Sequence, residues 1–351
     1  MSKFWSDMAK RCTPYIPGEQ INRANIIKLN TNENPYGPSP KVIQAIQKES
    51  EQALNLYPSP TTDQLKEDIA AFNSLSKENV FVGNGSDEVL AFSFMAFFDV
   101  NRPIRYPAIS YSFYPVYAKL FVIPAEEIAL QDDFTIPIED FYQSDGGVIF
   151  PNPNAPTSVY MELDAVKKIL DNNPDRIVIV DEAYIDFAAE SAVSLINSYE
   201  NLLVIQTMSK SRSLAGLRIG FALGHPDLIE GLTRIKDSVN SYTVDRLAIA
   251  GAEAAIADVS YFNDTTEKII RTREWAIVEM EKRGFTVLPS QTNFIFAAHS
   301  NQDAGELYAA LKEKDILIRY FKVPMIDNHV RITIGTDEQM AQFFNMLDTI
   351  L

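Results

Sequence analysis

Residues 202–220 read LLVIQTMSKSRSLAGLRIG. The opening LLVIQT is an apolar run of the kind that forms a strand buried on both faces of a sheet. Just beyond it stands Lys210 between Ser209 and Ser211, and Arg218 follows. A solvated surface lysine needs no hydroxyl neighbours. A lysine partly desolvated at a strand end can act as nucleophile and base, and a nearby arginine offers a fixed guanidinium to a phosphate.

Working outward, NVFV (79–82), PIRYP (103–107), GGVIF (146–150), RIVIV (176–180) and RIGFALG (218–224) are further short runs, mostly rich in Val, Ile and other apolar residues. Helical patterns alternate with most of them. SPKVIQAIQKESEQAL (39–54) has apolar residues at helical spacing behind a Ser-Pro start, and TTDQLKEDIAAFN (61–73) repeats it. Such alternation predicts an α/β large domain, with a mostly parallel central sheet flanked by helices. From about Pro226 the pattern shifts to long helical stretches. TNFIFAA, DILIRYF, HVRITIGT and two further helices follow, which predicts a smaller α+β domain. The expected division is 36–240 for the large domain. Residues 1–35 and 241–351 are expected to form the small domain with its N-terminal arm.

The composition closes off several classes. The 351 residues are 46% hydrophobic and 22% charged, which suits an ordinary globular chain. A net charge of −16 argues against nucleic-acid partners and anionic membrane surfaces. Cys12 is the single cysteine, so no intrachain disulfide or multi-cysteine metal site is expected. His225, His299 and His329 are scattered without metal-ligand spacing, and no metal is expected. The start, MSKFWSDMAKR, lacks the apolar core of a secretory signal, and the longest apolar run, VLAFSFMAFF, is too short to span a bilayer. A cytoplasmic location is the expectation.

Two more stretches fit chemistry at strand ends. In VGNGSDEVLAF (82–92) a strand ends in closely spaced glycines and enters a helix at Ser86 or Asp87. This is either a plain N-cap or a turn whose N–H groups receive an anion. In IVIVDEAYIDF (177–187), Asp181 and Glu182 end a strand where open parallel sheets bind ligands, and Tyr184 adds a phenol. One cofactor uses all these features. Pyridoxal phosphate needs a lysine for its aldehyde, an acid for its ring nitrogen, a phenol or amide for its ring oxygen and a cup for its phosphate. Lys210, Asp181, Tyr184 and the GNGSDE turn with Arg218 supply them.

At this point the chain resembles the fold-type I pyridoxal-phosphate-dependent aminotransferases over nearly its whole length. The motifs run from PYIPGE and KLNTNENPYGPSP through GNGSDE, PNPNAPT and DEAY to SKSRSLAGLRIG, TNFIF, ILIRYF and VRITIGT. NENPYGPSP and the arginines of IRYF and VRITIGT are similar to the histidinol-phosphate branch. The resemblance implies a Schiff-base role for Lys210, the ring-nitrogen acid in Asp181, and ring-oxygen partners in Tyr184 and Asn154. It implies a phosphate cup from Gly85, Ser86, Asp87, Thr207, Ser209 and Arg218, and a stacking ring in Tyr111. Tyr57 resembles the tyrosine that reaches a neighbouring subunit's site, which implies a homodimer with shared sites. The family's usual PNNPTG is NPNAPTS here, with Ala155 before the proline and Ser158 for glycine. The ring-oxygen amide is therefore Asn154, Asn152 or a water.

The implied reaction moves an amino group from histidinol phosphate to 2-oxoglutarate, giving glutamate. Arg319 and Arg331 would hold the phosphate dianion by forked hydrogen bonds. Tyr15, Asn32 and Glu33 would wall the imidazole. An aromatic amino acid aminotransferase and a threonine-phosphate decarboxylase of the same fold stay open as alternatives. A dinucleotide-binding sheet is disfavoured, since no GxGxxG occurs.

Overall fold

The computed structural model describes residues 2–15, 18–19, 21, 25–52 and 54–351. Ile16 and Pro17 of the PYIPGE motif lie outside them. In chain order the first elements are α1 (Asp7–Arg11), β1 (Ile27–Lys28), α2 (Pro40–Ser50) and α3 (Asp63–Phe72). Then come β2 (Val80–Asn84), α4 (Gly85–Phe97), β3 (Ile104–Pro107), α5 (Phe113–Phe121), β4 (Ala125–Ile128), β5 (Val148–Pro151) and α6 (Leu163–Asp171). They lead to β6 (Val178–Asp181), β7 (Leu202–Thr207), β8 (Ile219–Gly224), α7 (Pro226–Val239), α8 (Arg246–Ala257) and α9 (Val259–Lys282). The last are β9 (Phe285–Val287), β10 (Phe294–His299), α10 (Ala304–Glu313), β11 (Ile316–Leu317), β12 (Arg319–Tyr320), β13 (Val330–Thr333) and α11 (Asp337–Leu347).

Seven strands form the large sheet in the order β2-β8-β7-β6-β5-β3-β4. Its pairs are parallel except the two made by β8, which is antiparallel to both β2 and β7. The fold is thus α/β with a mostly parallel sheet flanked by helices. Alternation along each strand explains the unbroken apolar runs. Val178, Val180, Leu202 and Val204 pack into the core on one face, while Ile179, Leu203 and Ile205 pack into the core on the other. Strand β4, AEEI, escapes an apolar-run reading because it is an edge strand with three exposed residues.

The second sheet is antiparallel, in the order β12-β13-β10-β9, and has its own core with α9, α10 and α11. The N-terminal segment joins this layer, because β1 pairs in parallel with β11. Asn34 ties the same segment to the large sheet. Its Nδ2 donates to the carbonyls of Lys210 and Ser211 at 3.0 and 3.1 Å.

Close backbone approach sets the turn into α4. Gly85 adopts φ 79°, a left-handed conformation that favours glycine. Gly220, paired with Gly83 on β2 and with Thr207 on β7, lies against the same turn. A Cβ there would sit 2.2 Å from the Ser86 nitrogen and 2.4 Å from the Gly85 carbonyl carbon. Backbone cannot yield as a side chain can. Gly220→Ala is therefore expected to cost about 1–3 kcal/mol, as overpacking does, read as a lower urea midpoint at unchanged m-value.

Candidate active site

The C-terminal ends of β2, β5, β6 and β7 lie on one edge of the large sheet, and the start of β8 joins them. Sheets of this kind offer a crevice there. The crevice is a cavity walled by Ser86, Asp87, Tyr111, Asp181, Tyr184, Thr207, Ser209, Lys210 and Arg218. The sequence places these residues far apart, and the strand ends bring them together.

Asp181 closes one end. Its carboxyl is buried, and Oδ2 accepts a 2.8 Å hydrogen bond from the Tyr114 hydroxyl. Among the described residues Oδ1 is buried with no hydrogen-bond partner of normal geometry, although the Ala183 backbone N–H also favours the charged carboxyl. Burial pushes the Asp181 pKa up to about 6, against the opposing pull of the Tyr114 bond. A desolvated carboxylate with a free oxygen suits a cationic ring N–H. Tyr114 was not among the residues the sequence pointed to. Its signal was its position three residues after Tyr111 in an aromatic-rich stretch, where it also reads as core.

The opposite end is built for an anion. The first turn of α4 supplies the backbone N–H groups of Ser86 and Asp87. Thr207 Oγ1 lies 3.0 Å from Ser209 Oγ. Arg218, itself at φ 55°, lays its guanidinium over Gly85, where a Cβ would meet Nη2 at 2.5 Å. Arg218 Nη2 pairs with Asp87 Oδ2 at 2.9 Å, and both side chains are substantially exposed. Such a pair is weak, so a phosphate dianion can compete for the guanidinium. Asp87 Oδ1 accepts a 2.6 Å bond from the Tyr111 hydroxyl, which fixes that ring beside the cavity. Burial, then the Asp87 charge, raises the Tyr111 pKa well above the usual phenol value.

Between the ends, Lys210 Nζ rests 3.4 Å from the Thr31 carbonyl and 5.7 Å from the centre of the Tyr184 ring. The Tyr184 hydroxyl accepts a 2.9 Å bond from Asn32 Nδ2. The cavity opens past Lys210 into a polar chamber walled by Tyr15, Asn30, Thr31, Asn32, Arg319 and Arg331. Arg319 and Arg331 are direct cross-strand partners on β12 and β13. Like charges so placed repel, and neither forms an ion pair among the described residues. Arg331 donates Nη2 to the Asn30 carbonyl at 3.0 Å, while its Nε is buried without a partner among the described residues. Among the described residues Asn30 Oδ1 and Thr31 Oγ1 are buried and unpartnered too. These orphaned groups fit a polar, anionic ligand. Tyr15 packs on Phe113 with ring centres 4.5 Å apart.

Three sequence expectations, Asn154, its alternative Asn152 and Glu33, land elsewhere. Asn154 does not face the cavity: its Nδ2 is spent on the Ile109 carbonyl and Thr157 Oγ1, at 3.0 and 2.8 Å. The methyl of Ala155 lines the wall instead. Asn152 is no substitute, since its amide bonds the Met161 backbone. Ser158 takes the glycine's place at φ 68°. Glu33 is paired with Lys28 at 2.7 Å and does not wall the chamber. Tyr57 is 77% exposed, stacked on Tyr242, and outside its own chain's cavity.

Asp181 also makes a stability prediction. Its folded pKa lies above the ordinary carboxyl value of 3.8, so the folded protein binds more protons than the unfolded one between these two values. Stability contributed by this site therefore falls as pH rises from about 4 to about 6. Asp181→Asn keeps an oxygen for Tyr114 and removes the buried charge. The ligand-free variant should be more stable than wild type by about 3 kcal/mol at pH ~7.5 and equal to it near pH ~3.5, by urea unfolding.

Residues 24–347 match the family described as aminotransferase class I and II. The Oceanobacillus iheyensis protein named histidinol-phosphate aminotransferase 1 is 60% identical over 351 residues, covering 100% of this chain and 99% of that one. The histidinol-phosphate aminotransferase of Clostridium acetobutylicum is 55% identical over 347 residues, 99% of each. A structure of histidinol-phosphate aminotransferase from Sinorhizobium meliloti, in complex with pyridoxal-5'-phosphate, has the same fold, with a TM-score of 0.87 at 23% identity over 100% of this chain and 99% of that one. The chain belongs to the class I and II aminotransferase family, within its histidinol-phosphate aminotransferases.

Proposed function

We propose that this enzyme transfers the amino group of histidinol phosphate to 2-oxoglutarate with pyridoxal phosphate as cofactor. The observation that carries the reading is the single cavity with an amine midway, an unpartnered buried carboxylate oxygen at one end and an anion cup at the other. Bound there, pyridoxal phosphate supplies an aldehyde that captures amines and a cationic ring that accepts electrons.

The protein's part follows from its own groups. Lys210 Nζ holds the aldehyde end and, once displaced by the incoming amine, carries the proton taken from the amine-bearing carbon. Asp181 Oδ1 faces the ring nitrogen and keeps it protonated. Tyr184 meets the ring oxygen, and Ala155 leaves it without an amide. Ser86, Asp87, Thr207, Ser209 and Arg218 hold the phosphate, and Tyr111 flanks the ring. Arg319 and Arg331 relieve their mutual repulsion by sharing the dianion of the substrate, and later the carboxylates of glutamate. Asn32 and Tyr15 line the space left for the imidazole.

The working form is a homodimer in the cytoplasm, with Tyr57 completing the partner's site. An apolar patch supports this. Leu54, Leu56, Tyr57, Val239 and Tyr242 are 56%, 58%, 77%, 63% and 43% exposed, and Arg246 ties the Leu56 and Tyr57 carbonyls to α8.

Purified protein should be yellow, and Lys210→Ala should bind cofactor without the lysine-bound absorbance band while unfolding at an unchanged urea midpoint. A colourless wild type indifferent to pyridoxal phosphate would sink the reading. Arg319→Ala should lower kcat/KM for histidinol phosphate by about 100-fold, the effect of a lost charge-assisted pair. Its effect on phenylalanine should be small. Equal loss on both substrates counts against a phosphate role. Activity on threonine phosphate with release of carbon dioxide would favour the decarboxylase.

A further inference from the structure

Thr333 is buried on β13, two residues after Arg331, so the two side chains share a strand face. Arg331 reaches the substrate chamber. Thr333 meets Asn32, which sits in the left-handed region at φ 55°, where Asn is tolerated.

The hydrogen bonds of this corner can have one polarity. The Asn32 backbone N–H, a donor without alternative, gives to Thr333 Oγ1 at 3.0 Å. The Thr333 hydroxyl must then place its own hydrogen, and its acceptor is Asn32 Oδ1 at 3.0 Å. That turns the Asn32 amide nitrogen toward Tyr184, whose hydroxyl accepts from Nδ2 at 2.9 Å. With its oxygen occupied from the protein side, the phenol has its hydrogen left for the cavity. In the reversed arrangement Asn32 Oδ1 would take the Tyr184 hydrogen, and the Thr333 hydrogen would be buried without an acceptor. Asn32 is itself held, since Asn293 Nδ2 donates to its carbonyl at 3.0 Å. The charged groups facing the phenol are Lys210 and Arg331.

We propose that Thr333, acting through Asn32, is a positioning residue that forces Tyr184 to present its hydrogen to the ring oxygen of the cofactor. The wall at residue 155 is a methyl, so this phenol is the protein donor at that oxygen, and its polarity matters more than where an amide shares the work. The inference rests on the role proposed above for Tyr184.

The test uses the cofactor-loaded enzyme and the pH midpoint of the lysine-bound absorbance band, a readout that a purely structural role would leave alone. A donor at the ring oxygen favours its anionic form and lowers the midpoint. Thr333→Val frees Asn32 to turn, and the midpoint is expected to rise by about one pH unit, a tenfold change in proton affinity. Thr333→Ser keeps the hydroxyl and should restore the wild-type midpoint. Tyr184→Phe should raise the midpoint at least as far, and Thr333→Val should add nothing in that background. A wild-type midpoint in folded Thr333→Val overturns the inference, as does an equal further shift in the Tyr184→Phe background. A Tyr184→Phe midpoint equal to wild type overturns the role of Tyr184 itself, and the positioning role falls with it.

Discussion

The site depends on a charge kept out of water. Asp181 ends a strand whose every residue is buried, so its carboxylate gives up solvent and receives in return the Tyr114 phenol, with the Ala183 backbone N–H also favouring its charge. Few arrangements can hold such a group. It needs a sheet deep enough to desolvate it, a tyrosine behind it and space ahead. The large sheet supplies the depth, with apolar layers on both faces, and α5 supplies Tyr114. The unpartnered oxygen costs stability by itself and gives an incoming cation its place. Stability is given up where affinity for a ligand is gained.

The anion end answers with backbone. A side-chain cup could be built almost anywhere, but N–H groups need a helix start brought against a strand end with no Cβ between them. Gly85 and Gly220 allow that approach, and Arg218 covers the glycine that makes room for it. The two ends therefore use different physics. One is a desolvated charge, and the other is aligned dipoles with an exposed guanidinium. A ligand that spans them is held in one direction only.

Much of this was legible in the sequence because the signals were chemical and local. A lysine between hydroxyls, an acid ending a Val-Ile run and a glycine turn into a helix each carry a mechanism, and all three meet in the cavity. What stayed hidden depended on partners distant in the chain. Tyr114 reads as core until Asp181 is seen beside it. Thr333 reads as an ordinary strand residue until Asn32 is found across from it. Strand β4 carries charges because it is an edge. Asn154 looked eligible by type, yet its backbone position turns its amide into the loop, and only the fold shows that Ala155 faces inward.

The N-terminal segment is stitched to both ends of the chain's work. Asn34 holds the lysine loop, and β1 pairs with β11, next to the strand that carries Arg319. The cofactor cradle uses residues up to β8, the strand that joins β2 and its α4 turn to the rest of the sheet, whereas the substrate chamber also needs β12 and β13. A chain cut short after β8 would thus carry the residues that line the cofactor pocket and lack both arginines of the substrate chamber.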